Sequence, residues 1–202
     1  MLQMNKGDCI VQIGLVVMRA QPLHFGHTRL IDAALDVCEH VFIVLGSTQE
    51  RGTPRNPFSF GERKKMVKRY LMYKGELDTV TELQFTPWER VTIIGLPDIF
   101  SLRWPSYVLE EIAAGFPEIK ITDIFGGSQY DVDWFKAFNL EQHIIDRTAA
   151  DYPFVSASML RDMLTYRDLK WMKYVPKCNW PLVARKFDCL EMVPEEDDKW
   201  NT

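Results

Sequence analysis

The sequence predicts an α/β chain built on a doubly wound, mostly parallel sheet with a small C-terminal helical appendage. Three observations carry this. The run from Ile10 to Met18 is almost entirely apolar, as suits a strand buried on both faces. Leu30, Ile31, Ala34, Leu35 and Cys38 then recur at helical spacing before a second apolar run, Val41 to Leu45, which completes a βαβ unit. The same alternation continues along most of the chain, and ligands of such sheets sit beyond the carboxyl ends of the strands.

The later elements follow in order. Gly46 to Pro57 is polar and rich in turn formers, and Ser59 with Glu62 stands in capping-box register ahead of a helix towards Tyr73. Val91 to Leu96 reads as a third strand, Tyr107 to Ala114 as a helix and Ile119 to Phe125 as a strand. Val132 to Phe138 reads as a short helix, and His143 to Asp146 as a last short strand. Beyond Tyr166 the pattern shortens to helical fragments. One domain over residues 1–190 and an acidic tail over 191–202 are expected. The segment from Gly75 to Arg90 is long for a connection.

A length of 202 residues suits one sizeable core rather than two domains. With 24 Lys+Arg against 28 Asp+Glu the net charge is -4, which speaks against a general nucleic-acid binder and requires any phosphate affinity to be local. Cys9, Cys38, Cys178 and Cys189 form neither a CxxC pair nor a zinc-type spacing, and the N-terminus does not read as a secretory signal. A reducing cytoplasm is therefore expected, with Cys38 in the core. No apolar run approaches the roughly 20 residues needed to cross a bilayer, so no membrane association is expected.

Two segments carry chemistry. The first strand runs into Arg19-Ala20-Gln21-Pro22-Leu23-His24-Phe25-Gly26-His27, which crowds an arginine, a glutamine and two histidines at the mouth of a βα turn. Gly26 permits close backbone approach, helix amides face an anion there, and paired imidazoles can donate to the same phosphate oxygens. The competing reading is that His24 only caps the helix and His27 only packs against the sheet. Zinc is a further alternative, but no third ligand stands at a suitable spacing, so no protein-bound metal is expected. Far along the chain, Val155-Ser156-Ala157-Ser158-Met159-Leu160-Arg161 opens a helix with hydroxyls and an arginine, a second cradle suited to the outer phosphates of a nucleoside triphosphate, or else a plain N-cap.

Together HxGH and SxSxxR, in this order, resemble the two signatures of the HxGH nucleotidyltransferase superfamily, whose fold is Rossmann-like. R-x-Q-P-x-H-x-G-H from Arg19, Gly46-Ser47, the RNPF-x-x-x-ER of Arg55 to Arg63, and Leu96-Pro97-Asp98-Ile99 followed by Trp104 narrow the likeness. They are similar to the archaeal type of nicotinamide mononucleotide adenylyltransferase, shared with the N-terminal half of bifunctional adenylyltransferase/Nudix proteins. The resemblance implies that His24, His27, Arg55 and Arg161 act on the ATP phosphates. It places Arg19, Gln21, Gly26, Ser156, Ser158 and Gly126 around ATP, and Gly46, Ser47, Asp98 and Trp104 around nicotinamide mononucleotide. Trp104 can stack on the pyridinium ring. The spacing from Asp98 to Trp104 is shorter than the family's, Ser101 stands where asparagine is common, and the loop Gly126 to Tyr130 lacks the superfamily's lysine.

The implied reaction is attack of the acceptor's 5′-phosphate on the α-phosphorus of ATP, giving NAD and pyrophosphate. Magnesium is expected to arrive on the ATP phosphates, and a homo-oligomer is expected from the family. The rivals are a pantetheine-phosphate adenylyltransferase, a cytidylyltransferase, and a catalytically silent nucleotide sensor.

Overall fold

The computed structural model describes residues 11–77, 87–99, 101–146 and 154–194. A five-stranded sheet in the order β3-β2-β1-β4-β5 forms its centre, and every pairing is parallel. The strands are β1 (Ile13–Met18), β2 (His40–Leu45), β3 (Val91–Gly95), β4 (Asp123–Gly126) and β5 (Glu141–Ile144). Parallel strands need crossovers, and these are α1 (Phe25–Val37), α2 (Phe60–Leu77), α3 (Trp104–Gly115) and α4 (Gln129–Asp133). The expected doubly wound sheet is therefore present, with its topological switch between β1 and β4.

Alternation along the central strands divides the core. Val16, Met18, Val41, Ile43 and Leu45 face one layer, where α1 and α2 bury Leu30, Ile31, Ala34, Met66, Val67 and Leu71. Leu15, Phe42, Val44 and Ile124 face the other, against Val108 and Ile112 of α3 and Val132 of α4. Burial on both faces is why these strands read as unbroken apolar runs.

The C-terminal appendage is part of the first layer. It comprises α5 (Ala157–Thr165), α6 (Trp180–Lys186) and short 3-10 turns. Trp171 is fully buried, Arg69 Nη1 donates to Cys178 O at 3.1 Å, and Asn179 Nδ2 donates to Met66 O at 3.0 Å. Met192 and Val193 still pack against the core, while residues 195–202 of the expected tail lie outside the described residues, as do Cys9 and residues 78–86 of the long segment.

Several boundaries differ from expectation. The first strand begins at Ile13, not Ile10. Helix α3 starts at Trp104 rather than Tyr107, because Pro105 occupies its first turn, where a missing N–H costs nothing. The fourth strand starts at Asp123 rather than Ile119, since a turn from Phe116 to Ile119 takes up the first apolar residues. Helix α4 precedes the expected Val132 to Phe138 span because Ser128 caps it by accepting from Asp131 N, and β5 spans Glu141–Ile144 rather than His143 to Asp146. The expected capping box holds: Ser59 N donates to Glu62 Oε2 at 2.7 Å, and Glu62 N donates to Ser59 Oγ at 3.3 Å.

Candidate active site

The turn after β1 arranges its histidines through the backbone. His24 is the N-cap of α1, and its Nδ1 accepts from Gly26 N at 3.1 Å. His27 Nδ1 accepts from His24 N at 3.4 Å. With both Nδ1 atoms accepting, each ring in its neutral form carries its proton on Nε2. The rings lie 3.8 Å apart between centroids, tilted by 31°. Capping, posed as the bland alternative for His24, is thus real and is the means by which its tautomer is set.

One part of the expectation is corrected. The backbone amides at the start of α1 were expected to face an anion, yet Phe25 N donates to Tyr174 O, Gly26 N to His24, and His27 N and Thr28 N to His24 O. Gly26 therefore offers no amide donor to ATP. Of the two imidazoles, His27 lines the cavity while His24 is buried.

A buried guanidinium ties the ends of the central strands together. Arg63 is fully buried; its Nη1 donates to Arg19 O at 2.8 Å and Gly46 O at 2.6 Å, and its Nη2 donates to Ser47 O at 3.4 Å. Burial lowers its pKa, Asp98 raises it, and Arg19 lowers it further. Beside these bonds Ala20 and Ser47 hold left-handed φ of 51° and 55°, which non-glycine residues keep only when surrounding contacts insist on it. Asp98 closes the cluster. Its Oδ2 accepts from Arg19 Nη2 at 2.7 Å and from Ser47 Oγ, and its Oδ1 accepts from Ser47 N at 3.0 Å. A Cβ on Gly46 would lie 3.0 Å from that carboxylate, so the backbone approaches closely there.

Gln21 departs from the expected ATP contact. Its side chain is 1% exposed, its Nε2 donates to Phe58 O at 2.8 Å and its Oε1 accepts from Phe58 N at 2.9 Å. The amide is spent on the backbone of the Arg55 loop, which makes Gln21 a positioning residue. Its carbonyl accepts from Arg161 Nη1 at 3.0 Å, while Arg161 Nη2 donates to Ser158 Oγ at 3.0 Å. Ser156 caps α5 by accepting from Met159 N at 3.2 Å. Burial lowers the Arg161 pKa; Asp162 opposes this, and the fields of Arg55 and Arg19 add to the lowering. Three guanidiniums thus converge beside the two imidazoles, an arrangement suited to a polyanion.

A cavity of about 790 Å³ opens beyond the carboxyl ends of β1 and β4. Of the expected residues it takes in Arg19, His27, Gly46, Asp98, Trp104 and Gly126; Gln21, His24, Gly26, Ser47, Arg55, Ser156, Ser158 and Arg161 are not part of its lining. Tyr130, which ends the loop named from the sequence, also lines it, as do Asp131 and Trp134, which sequence reasoning did not single out. Arg63 went unassigned too; its signal was an arginine in an otherwise core-facing helical register. Among the described residues no group of three His, Cys, Asp or Glu is placed to hold a metal ion, and no helix is long and apolar enough to cross a membrane.

Comparison with known proteins agrees with this geometry. A family model described as cytidylyltransferase-like matches residues 17–196. Nicotinamide-nucleotide adenylyltransferase 1 of Sulfolobus acidocaldarius is 31% identical over 159 residues, covering 79% of this chain and 81% of that protein. Nicotinamide-nucleotide adenylyltransferase of Saccharolobus solfataricus is 30% identical over 171 residues, covering 81% of this chain and 85% of that one. Among solved structures, a bifunctional NMN adenylyltransferase/ADP ribose pyrophosphatase from Francisella tularensis, complexed with AMP and a manganese ion, has the same fold, with a TM-score of 0.67 at 21% identity. That match covers 90% of this chain but 52% of the bifunctional one, so the chain spans about half its length. With the family model covering most of the sequence and relatives of this identity covering most of both chains, the chain belongs to the cytidylyltransferase-like family and, within it, to the nicotinamide-nucleotide adenylyltransferases.

Proposed function

We propose that this chain transfers the adenylyl group of ATP to nicotinamide mononucleotide, releasing pyrophosphate and forming NAD. The observation that carries the reading is the convergence of Arg19, Arg55 and Arg161 beside His24 and His27, next to a cavity walled by Trp104. A 5′-phosphate oxygen of the acceptor attacks the α-phosphorus, the bond from that phosphorus to the α–β bridging oxygen breaks, and the electron pair leaves on pyrophosphate. The nucleophile arrives ionised, so no protein base is needed. Catalysis rests on positioning and on stabilising charge at the transferring centre.

His24 and His27 donate from Nε2 to phosphate oxygens, Arg55 and Arg161 take the outer phosphates, and Ser158 keeps the Arg161 fork aimed. Trp104 holds the pyridinium ring. Asp98 acts chiefly by fixing Arg19 and Ser47. Magnesium would arrive on the ATP phosphates and would supply charge neutralisation there, in keeping with its reluctance to dehydrate. The guanidiniums and imidazoles placed here suit the phosphates rather than the cation.

The test is a coupled assay with magnesium-ATP, nicotinamide mononucleotide and alcohol dehydrogenase, run beside a His24→Ala/His27→Ala variant. NAD formation lost in the variant supports the reading. No NAD from folded wild-type protein refutes it.

A further inference from the structure

The ends of β1 and β2 leave the sheet in the same way. Their ladder closes with Gly46 N donating to Met18 O at 3.0 Å, and the chain then turns through Ala20 on one strand and Ser47 on the other, at left-handed φ of 51° and 55°. In each turn the carbonyl just before the left-handed residue accepts from Arg63 Nη1, Arg19 O at 2.8 Å and Gly46 O at 2.6 Å. Nη2 donates to Ser47 O at 3.4 Å, and Nε donates to Ser59 O at 3.4 Å. Among the described residues these bonds all end on carbonyls, and the guanidinium is fully buried. A buried cation held by carbonyls is a costly means of joining two strands. What it supplies is rigidity: one nitrogen of a planar fork bridging two carbonyls fixes their separation, which a flexible ammonium does not.

We propose that Arg63 is a positioning residue, which sets the histidine turn against the Ser47–Asp98 cluster and so aligns the acceptor's phosphate with the α-phosphorus of ATP. The inference rests on the adenylyl transfer proposed above. In that reading the β1 turn leads to His24 and His27, on the ATP phosphates. The β2 turn leads to Ser47, whose N donates at 3.0 Å to Asp98 Oδ1, on the connection from β3 to Trp104 beside the pyridinium. The Arg19–Asp98 pair also crosses between the turns, but its arginine side chain is 40% exposed and solvent screens it, whereas the Arg63 fork is sealed from water. Arg63 does not line the cavity and acts through the carbonyls it holds. Releasing the fork leaves each turn its own contacts and lets one shift against the other. In-line attack is sensitive to such a shift, since a displacement of about 1 Å can cost about 10² in rate.

The experiment measures kcat for NAD formation, with Kd for nicotinamide mononucleotide and for α,β-methylene-ATP by titration calorimetry, in wild type, Arg63→Lys and Arg69→Lys. Arg63→Lys keeps a buried cation and replaces the fork with a single ammonium. Arg69 is buried on the same helix, with Nη1 donating to Cys178 O at 3.1 Å and no place in the cavity lining, so the same substitution there controls for a loss of stability alone. Arg63→Lys is expected to lower kcat by about 10–10² while both Kd values stay within about threefold, and Arg69→Lys to keep kcat within about twofold even where its unfolding midpoint falls. If Arg63→Lys does not fold, Arg63→Gln, which keeps a planar amide donor, carries the same comparison. An unchanged kcat in the folded variant, a fall in rate matched by lost binding of one substrate, or an equal fall in Arg69→Lys overturns the proposal. So does failure of both Arg63 variants to fold, which would make the residue a support of the whole domain. No NAD from folded wild type is a different result, which overturns the reaction itself and this alignment with it.

Discussion

Gln21 and Phe58 exchange two hydrogen bonds across 37 positions of sequence, one from the side-chain amide to Phe58 O at 2.8 Å and one from Phe58 N back to the amide oxygen at 2.9 Å. The carbonyl of the same glutamine receives Arg161 at 3.0 Å. One residue thereby joins the histidine turn, the loop bearing Arg55 and the helix bearing Arg161. Gln21→Leu keeps much of the volume but orphans a buried N–H and C=O, which costs about 1–3 kcal/mol. Denaturant unfolding is expected to show that loss, and kcat is expected to fall more than the KM values rise, because the arginines lose register while their contacts to bound phosphate survive. Unaltered kcat in the folded variant would remove Gln21 from the positioning role.

His27→Ala is expected to lower kcat by about 10²–10³, the usual effect of deleting one preorganised donor. The capping bond that His27 Nδ1 accepts from His24 N is also lost, so thermal unfolding belongs beside the kinetics. Near wild-type turnover in a folded variant would be incompatible with a phosphate-donor role.

Trp104 begins α3 and lines the cavity. Trp104→Ala is expected to raise the KM for nicotinamide mononucleotide with little change in kcat, as for an interaction equally strong in ground and transition states. The stacking at issue contributes about 0.5–2 kcal/mol. An unchanged KM would place the pyridinium elsewhere.

Gly126 was assigned to the nucleotide by resemblance, and the structure adds a packing reason for it. A Cβ there would come within 2.7 Å of Val132 Cγ1 and 2.9 Å of Asp131 Cβ. Gly126→Ala is expected to push α4 outward, destabilising the fold by about 1–3 kcal/mol. Because Tyr130 and Trp134 line the cavity from that wall, the KM for the acceptor should rise as well. A variant with wild-type stability would show that α4 yields at no cost.

Burial pushes the Cys38 thiol up to about 12, with Asp123 adding to the shift and Arg90 opposing it. Burial does the same for Cys178, also to about 12. Each folded pKa lies above its unfolded value of 9.0, so between about 9 and 12 the unfolded chain has lost protons that the folded chain keeps. Stability is then fully present below about 9 and falls as pH rises towards 12. Urea unfolding at about pH 8 and about pH 10 is the check, with the lower midpoint expected at the higher pH. Midpoints that coincide would contradict the assigned burial.

The fold was legible because its signals are local or periodic. Strands buried on both faces had to be continuous apolar runs, as Val41 to Leu45 shows, and Ser59 with Glu62 announced the start of α2 by a capping box that needs only four residues. Boundaries shifted where a nearby residue outweighed hydrophobicity: Pro105 drew α3 back to Trp104, and the Phe116 to Ile119 turn consumed apolar residues that looked like strand. In the site, His27, Asp98 and Trp104, assigned by resemblance to two different substrates, line one cavity. What could not be read was the use of each side chain. A glutamine in a phosphate-binding pattern looks the same whether its amide meets a ligand or Phe58, and Gly26 looks the same whether its N–H faces an anion or His24.

The sequence by itself determined the order of strands and helices and the family, because periodicity, turn chemistry and motif spacing are written along the chain. Only the tertiary structure decided that Arg63 would be buried to join β1 to β2, that Gln21 would be a strap, and that Asp131 would line the cavity with its carboxylate held by Gly127 N. The physical reason is that hydrogen-bond partners and net local charge belong to groups brought together from distant parts of the chain, and no spacing within one segment records them.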